Sequence, residues 1–238
     1  SQLAKVNKKM VLPRPFFNVI NGGKHADNKS SFQEFMIVPQ YNNYKKNLQA
    51  ASEVYHILKK NLHKKYGKGA ANVGDEGGFA PQIDAPEEPL RLLHDAADTA
   101  GHSGLAFGLD CAATAWKTGR SYRLGGILYT PEQLIDWSVG IVKNKRVISI
   151  EDPFAEDAFN EFAMLTKRVG GKAQVGGDDL TVTNPQRIQK AVEKKSCNCL
   201  LLKVNQIGTV TEALQSAAIA RQAGWNVMVS HRSGETED

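Results

Sequence analysis

Five titratable side chains stand at the points where short, mostly apolar runs of this chain stop. In chain order they are Asp110, Glu151, Asp178, Lys203 and His231. The last four are 25 to 28 residues apart, which fits one strand and one helix per unit. Short apolar runs that alternate with amphipathic helical stretches are typical of buried parallel strands. We therefore predict an α/β fold, a TIM-like (β/α)8 barrel, in which the carboxyl ends of the strands open on one face.

The side chains at these strand ends should meet in one pocket. Asp110, Glu151 and Asp178 would repel one another there, and a hard divalent cation is the simplest remedy, because oxygen-only ligation suits magnesium. Lys203 among these carboxylates suggests a general base, since nearby dications and burial lower the pKa of an ammonium group. A metal that neutralises a substrate carboxylate makes the neighbouring proton accessible to such a base.

Two further motifs extend this chemistry. Asp75 and Glu76 lie between Gly74 and the pair at 77–78, so the backbone can approach a ligand closely, and Glu76 is suited to act as a general acid toward a departing hydroxide. Residues 231–234 read His-Arg-Ser-Gly and supply guanidinium, hydroxyl and backbone donors that fit a phosphate. Base, acid, metal and phosphate site together describe elimination of water from a phosphorylated hydroxy acid.

Length and composition permit this prediction and add little to it. The 238 residues are close to the roughly 250 of one such barrel, and we predict a single domain over residues 1–238. No apolar stretch approaches the roughly 20 residues of a membrane span and no signal peptide is visible, so we expect a cytoplasmic protein with no membrane span. The net charge of +5 fits an anionic substrate. The lysines within residues 59–68 indicate a solvated helix face, and we expect no nucleic-acid partner.

The apolar periodicity predicts the elements that surround the site. Residues 16–20 and 35–38 are expected to form a first pair of strands, and residues 44–66 a long helix. The apolar stripe of this helix consists of Leu48, Ala51, Tyr55, Leu58 and Leu62. Capping boxes are predicted at Thr130 and Thr209. The count reaches about seven strands, so we expect a barrel that is incomplete at its carboxyl end, with two unpaired sheet edges.

Seven strings of this sequence are characteristic of one family when they occur in this order. They are FNVINGG (17–23), QEFMI (33–37), NVGDEGGFAP (72–81), SIEDPF (149–154), GDDLTVTNP (177–185), LLLKVNQIG (200–208) and VSHRSGETED (229–238). On these strings the chain resembles the enolase family, the phosphopyruvate hydratases of glycolysis. The resemblance implies the catalytic barrel domain of an enolase that lacks the amino-terminal domain and the last barrel strand.

The resemblance also implies a role for each candidate residue. Asp110, Glu151 and Asp178 bind the catalytic magnesium, and Lys203 removes the C2 proton of 2-phosphoglycerate on the way to phosphoenolpyruvate. Family enolases bind two magnesium ions per site and are usually homodimers. The remaining assignments are Glu76 with Glu34 beside it at the C3 hydroxyl, His231 as a further catalytic residue, His25 in the substrate pocket, and Arg232 with Ser233 at the phosphate.

The chain departs from the family pattern in two places. Residues 23–28 read GKHADN, so that Lys24 and Asp27 stand in a loop where many members have smaller residues, and Ala115 replaces a common glutamate. We expect the isolated 238 residues to be inactive, because the family's mobile-loop serine and second active-site lysine are not among them and positioned catalytic groups act as a unit.

Two other functions stay open on the sequence. Another acid/base enzyme of the enolase superfamily, such as a racemase or cycloisomerase, would share the base and the metal but would need neither the phosphate site nor the Glu76 loop. A non-catalytic binding protein, of the moonlighting kind reported for enolases at cell surfaces, would need none of these groups.

Overall fold

A single large sheet dominates the computed structural model, which describes residues 12–232. Its seven strands stand in the order β1-β2-β3-β7-β8-β9-β10. They are β1 (Phe17–Asn21), β2 (Glu34–Val38), β3 (Ala106–Asp110), β7 (Val147–Glu151), β8 (Gln174–Gly176), β9 (Cys199–Leu202) and β10 (Asn226–Val229). A cavity of about 1040 Å³ is lined by residues of both outer strands, β1 and β10, so the sheet curls around it. The predicted α/β barrel architecture and its seven strands are confirmed.

Helices cover the outside of this sheet. The longer ones are α1 (Tyr44–Tyr66), α2 (Glu88–Thr99), α3 (Pro131–Asn144), α4 (Phe159–Val169), α6 (Pro185–Glu193) and α8 (Val210–Gln222), and two single turns, α5 (Asp178–Thr181) and α7 (Val204–Ile207), follow β8 and β9. The core lies between the two layers, with Phe107, Val175 and Leu200 of the sheet fully buried beside Leu58 and Leu165 of the helices. Within residues 12–232, no helix is long and apolar enough to cross a membrane.

Two strand pairings differ from the predicted parallel arrangement. β1 pairs with β2, and β2 with β3, in antiparallel register, whereas the pairings from β3 to β10 are parallel. The connection between β1 and β2 holds only residues 22–33, too few for a crossover helix, so the chain turns back on itself. Two helices, α1 and α2, separate β2 from β3, and this second return brings the chain to β3 at the end where β2 finished.

The helix at 44–66 has the predicted bounds and buries most of its predicted apolar stripe. Ala51, Leu58 and Leu62 are buried, whereas Leu48 is half exposed. The buried face also includes Asn47, Ala50 and Val54. Asn47 is compatible with burial because its amide both accepts from and donates to the backbone of Tyr41, at 3.0 and 3.1 Å.

Two local predictions fare differently. The capping box at Thr130 is present in full, with Gln133 returning the hydrogen bond to the Thr130 backbone. At Thr209 only half of it forms, because the Glu212 carboxylate accepts the Thr209 hydroxyl and not its backbone N–H. A small antiparallel sheet, β4 (Lys117–Thr118), β5 (Ser121–Leu124) and β6 (Ile127–Tyr129), was not predicted, since strands of two to four partly exposed residues leave no apolar run.

Candidate active site

The predicted site residues meet at one edge of the sheet. Asp110 and Glu151 are the last residues of β3 and β7 and pair in register, and Asp178 and Lys203 follow β8 and β9 directly. Because β2 runs antiparallel to β3, its first residue, Glu34, pairs with Asp110 and lies at this same edge. In a parallel strand only the last residue would lie at this edge. Because β2 is antiparallel, its first residue lies there instead, and the Glu34 side chain joins the other carboxyl groups.

The acidic residues form two overlapping groups that share Asp152. Carboxylate oxygens of Asp110, Glu151 and Asp152 lie within 4.8 Å of one another, and so do those of Asp152, Asp178 and Asp179. Asp152 and Asp179 were not among the predicted ligands. Each is the second member of an acidic pair at a strand end, and that doublet was the available signal. The predicted set of Asp110, Glu151 and Asp178 is thus joined through a fourth carboxylate.

Burial and mutual repulsion disfavour the ionised form of the carboxyl groups in this cluster. Burial, reinforced by neighbouring carboxylates, raises the pKa of Glu151 and of Asp152 well above the ordinary range. Burial likewise raises the pKa of Asp110 to about 7, although Lys203 opposes this. One buried oxygen on Asp152 and one on Asp178 have no hydrogen-bond partner. An all-oxygen donor set with unsatisfied buried oxygens fits a hard divalent cation such as magnesium.

Among the described residues, Lys203 is the cation that lies at hydrogen-bond distance from a carboxylate of this cluster. Its Nζ lies 2.5 Å from Oδ2 of Asp178, and both side chains are largely buried. Burial lowers the pKa of Lys203, but Glu151 and Asp178 outweigh burial and raise it above its ordinary value. The protein groups alone therefore favour the ammonium form, and the lowered pKa predicted from the sequence depends on a bound dication that competes for the same carboxylates.

A second group of side chains lies beside the acidic cluster, to which it is joined by the pairing of Glu34 with Asp110. His25 Nδ1 is 3.6 Å from Oε1 of Glu34 and 3.6 Å from Oε2 of Glu76, and His231 Nε2 is 3.5 Å from the same Glu76 oxygen. Asn18 donates a hydrogen bond of 3.1 Å to Glu76. Burial, with a hydrogen bond to Glu76, raises the pKa of Glu34 to about 10, so these two carboxyl groups hold a proton between them.

Of the two residues predicted to bind the phosphate, the structure describes only Arg232. Arg232 follows His231 at the end of β10 but is not part of the cavity wall within residues 12–232. Ser233 lies outside the described residues. Of the two residues that depart from the family pattern in the 23–28 loop, Lys24 lies near the acidic cluster. Burial raises the pKa of Asp179, and the charge of Lys24 opposes this rise. Asp27 accepts a hydrogen bond from Gln82 through its carbonyl.

Backbone strain is concentrated beside the acidic residues. Ala112, Asp152 and Val182 adopt positive φ angles of 45°, 43° and 44°, and Thr183 follows with 54°. Each of these residues lies within five positions after Asp110, Glu151 or Asp178. Non-glycine residues with positive φ cost free energy and persist where the surrounding structure fixes them, as at many binding sites.

Comparison with known proteins agrees with this arrangement. Residues 9–238 match the family described as "Enolase, C-terminal TIM barrel domain". The enolase of Solanum lycopersicum is 49% identical over 243 residues, and enolase 2 of Hevea brasiliensis is 48% identical over the same length. Each match covers 98% of this chain and 55% of the relative, so the chain spans about half the length of these curated relatives. On the family match and this identity, the chain belongs to the enolase family.

Proposed function

We propose that residues 1–238 are the catalytic barrel domain of an enzyme that reversibly dehydrates 2-phosphoglycerate to phosphoenolpyruvate with magnesium. One observation carries the proposal. A single cavity is lined by Lys203, Glu151, Glu34, Glu76 and His231. The base, Lys203, and the acid pair, Glu34 with Glu76, thus line the same cavity. Removal of a proton and a hydroxide from adjacent carbons requires such a base and acid near one substrate.

In this proposal Lys203 acts at C2 and Glu76 at C3. The amine of Lys203 takes the C2 proton, and the electron pair of that C–H bond moves toward the substrate carboxylate as an enolate before it forms the new C2–C3 double bond. The C3–O bond breaks, and the hydroxide leaves as water with a proton from the pair formed by Glu76 and Glu34. Asp110, Glu151 and Asp178, joined by Asp152, would hold the magnesium. The bound metal would neutralise the substrate carboxylate and stabilise the enolate charge.

The remaining residues orient the substrate and its acid. His25 and His231 both lie within 3.6 Å of a Glu76 oxygen, so they are placed to hold that carboxyl group toward the cavity. We propose that Arg232 and Ser233 bind the phosphate, because a guanidinium and a hydroxyl suit its oxygens. The family also supports a second magnesium ion, a homodimer of the whole protein and a cytoplasmic location, and these stay proposals.

The acid pair favours dehydration over the other superfamily reactions. A racemase or cycloisomerase needs a base and a metal, but it has no leaving hydroxide for a carboxyl group to protonate. The carboxyl groups of Glu34 and Glu76 both line the cavity, where a protonated carboxyl group can assist a departing hydroxide.

The experiment that tests the proposal uses the protein as its gene encodes it. Formation of phosphoenolpyruvate from 2-phosphoglycerate is followed by ultraviolet absorbance, before and after thorough removal of divalent metal and after magnesium is restored. We expect turnover that disappears with the metal and returns with magnesium. Turnover that survives complete metal removal, or no turnover with magnesium present, would overturn the proposal.

A further inference from the structure

Asn21 is a fully buried polar residue at the end of β1, and both ends of its side chain are satisfied by backbone of other segments. Its Oδ1 accepts a hydrogen bond of 2.9 Å from the N–H of Gly78, and its Nδ2 donates one of 3.2 Å to the carbonyl of Gln33. The Asn21 carbonyl in turn accepts from the side chain of Asn28 at 2.9 Å. Through its side-chain amide and its backbone carbonyl, Asn21 therefore ties the end of β1 to the segments that carry Asn28, Gln33 and Gly78.

Each of these partners leads directly to a residue of the candidate site. Gly78 is two residues after Glu76, and Gln33 precedes Glu34 and donates a hydrogen bond of 3.1 Å to Asp110. Asn28 belongs to the loop that carries His25. Asn21 therefore acts on these site residues through the backbone that it holds.

The glycines of the Glu76 loop are fitted to Asn21. A Cβ on Gly78 would lie 2.7 Å from Oδ1 of Asn21, and a Cβ on Gly74 would lie 2.8 Å from its Cβ and 2.5 Å from the carbonyl of His25. Contacts this short are not tolerated without movement of the backbone. The loop thus packs directly on Asn21 on both sides of Glu76, and the glycines that the sequence placed there serve this close approach.

We propose that Asn21 is a positioning residue that sets where Glu76 stands relative to the reacting atoms. The inference rests on the proposed function, because it assigns Asn21 to the hydroxide-leaving half of that reaction. Lys203 is held by its own partner, Asp178, at 2.5 Å. Loss of the bridge from Asn21 to Gly78 should therefore impair the step at C3 more than the step at C2.

The test compares three variants of the gene-encoded protein. Asn21→Ala removes the bridge, and Gly78→Ala keeps Asn21 but forces a methyl group against its Oδ1. Gly104→Ala is the matched control, because a Cβ there meets no atom within 4 Å and its φ is not positive. Dehydration and exchange of the C2 proton with solvent are measured for each, together with amide hydrogen exchange of residues 74–79.

We expect dehydration to fall about 10- to 100-fold in Asn21→Ala and Gly78→Ala, as displaced catalytic groups do, while C2 exchange stays within about threefold of wild type. Amides 74–79 should exchange faster in both, and the control should match wild type.

Equal losses of dehydration and C2 exchange, or unchanged values of both, would overturn the proposal. If Asn21→Ala does not fold, Gly78→Ala decides. If the wild type does not dehydrate 2-phosphoglycerate, the proposed function fails, and unchanged amide exchange in the variants would separately refute the role of Asn21.

Discussion

Removal of Lys203 should destabilise the folded chain as well as stop its chemistry. In the described structure, its ammonium group lies against Asp178 and carries positive charge into a cluster that includes Glu151 and Asp110. Lys203→Ala leaves these carboxylates buried without that charge. Breaking a buried ion pair by removing one partner costs about 3–5 kcal/mol of unfolding free energy.

The size of this loss depends on pH in a defined direction. Without Lys203 the folded-state pKa values of the carboxylates rise further above their unfolded values, so the folded state binds more protons than the unfolded state does. Groups with raised folded pKa values lose stability as pH rises. We therefore expect a loss of about 3–5 kcal/mol near pH 8 that shrinks by up to about 3 kcal/mol near pH 5.5, at 1.36 kcal/mol per pKa unit.

Urea unfolding in the presence of a chelator measures this loss. Wild type and Lys203→Ala are compared at both pH values, with Lys59→Ala on the exposed face of α1 as the matched control, expected within about 0.5 kcal/mol of wild type. Addition of magnesium should narrow the gap between wild type and Lys203→Ala, because a bound cation supplies charge to the same carboxylates. A loss below about 1 kcal/mol near pH 8, or one that grows as pH falls, would refute this account of the cluster.

Three further outcomes are expected. Glu76→Gln should slow dehydration by about 10²- to 10⁴-fold while C2 exchange stays measurable. Equal loss of both activities would show that the roles of acid and base are wrongly assigned to Glu76 and Lys203. Burial would raise the pKa of Glu88, but hydrogen bonds from Arg91, Lys65 and Tyr66 outweigh it and hold that pKa at about 2. Its contribution is therefore present above roughly pH 4.3 and lost as pH falls toward 2, and Glu88→Gln should cost about 1–2 kcal/mol at pH 7 and nothing near pH 2 in chemical unfolding. Leu58→Ala, at a fully buried position of α1, should cost about 2–5 kcal/mol by the same measurement, and a loss under about 1 kcal/mol would contradict its place in the core.

The positions of the site residues were predictable because strand ends are a property of the chain pattern. An apolar run that stops at a charged residue marks both the strand and the edge at which the side chain emerges, which located Asp110, Glu151 and Lys203. Partners within an acidic doublet were less accessible. Asp152 belongs to both carboxylate groups and has a positive φ of 43° after Glu151, and no pattern in the sequence signals that turn.

Strand direction and the exact set of buried residues on α1 were not predictable in the same way. An apolar run reads the same in either direction, so the antiparallel pairing that brings Glu34 to the active edge emerges only from the connections on either side of β2. Leu48 fits an apolar stripe as well as Ala50 does, but Leu48 is half exposed and Ala50 is buried. The role inferred for Asn21 likewise depends on long-range contacts, since asparagine at a strand end most often indicates a turn.

The most direct test of the proposed function is metal-dependent turnover of 2-phosphoglycerate by the gene-encoded protein and its Lys203→Ala variant, followed as phosphoenolpyruvate absorbance and as C2 proton exchange in the same samples. The account predicts that the wild type shows both activities with magnesium and neither without it, and that Lys203→Ala shows neither activity while still binding magnesium. Exchange of the C2 proton by Lys203→Ala at the wild-type rate would contradict the assignment of the base and, with it, the mechanism built on this cavity.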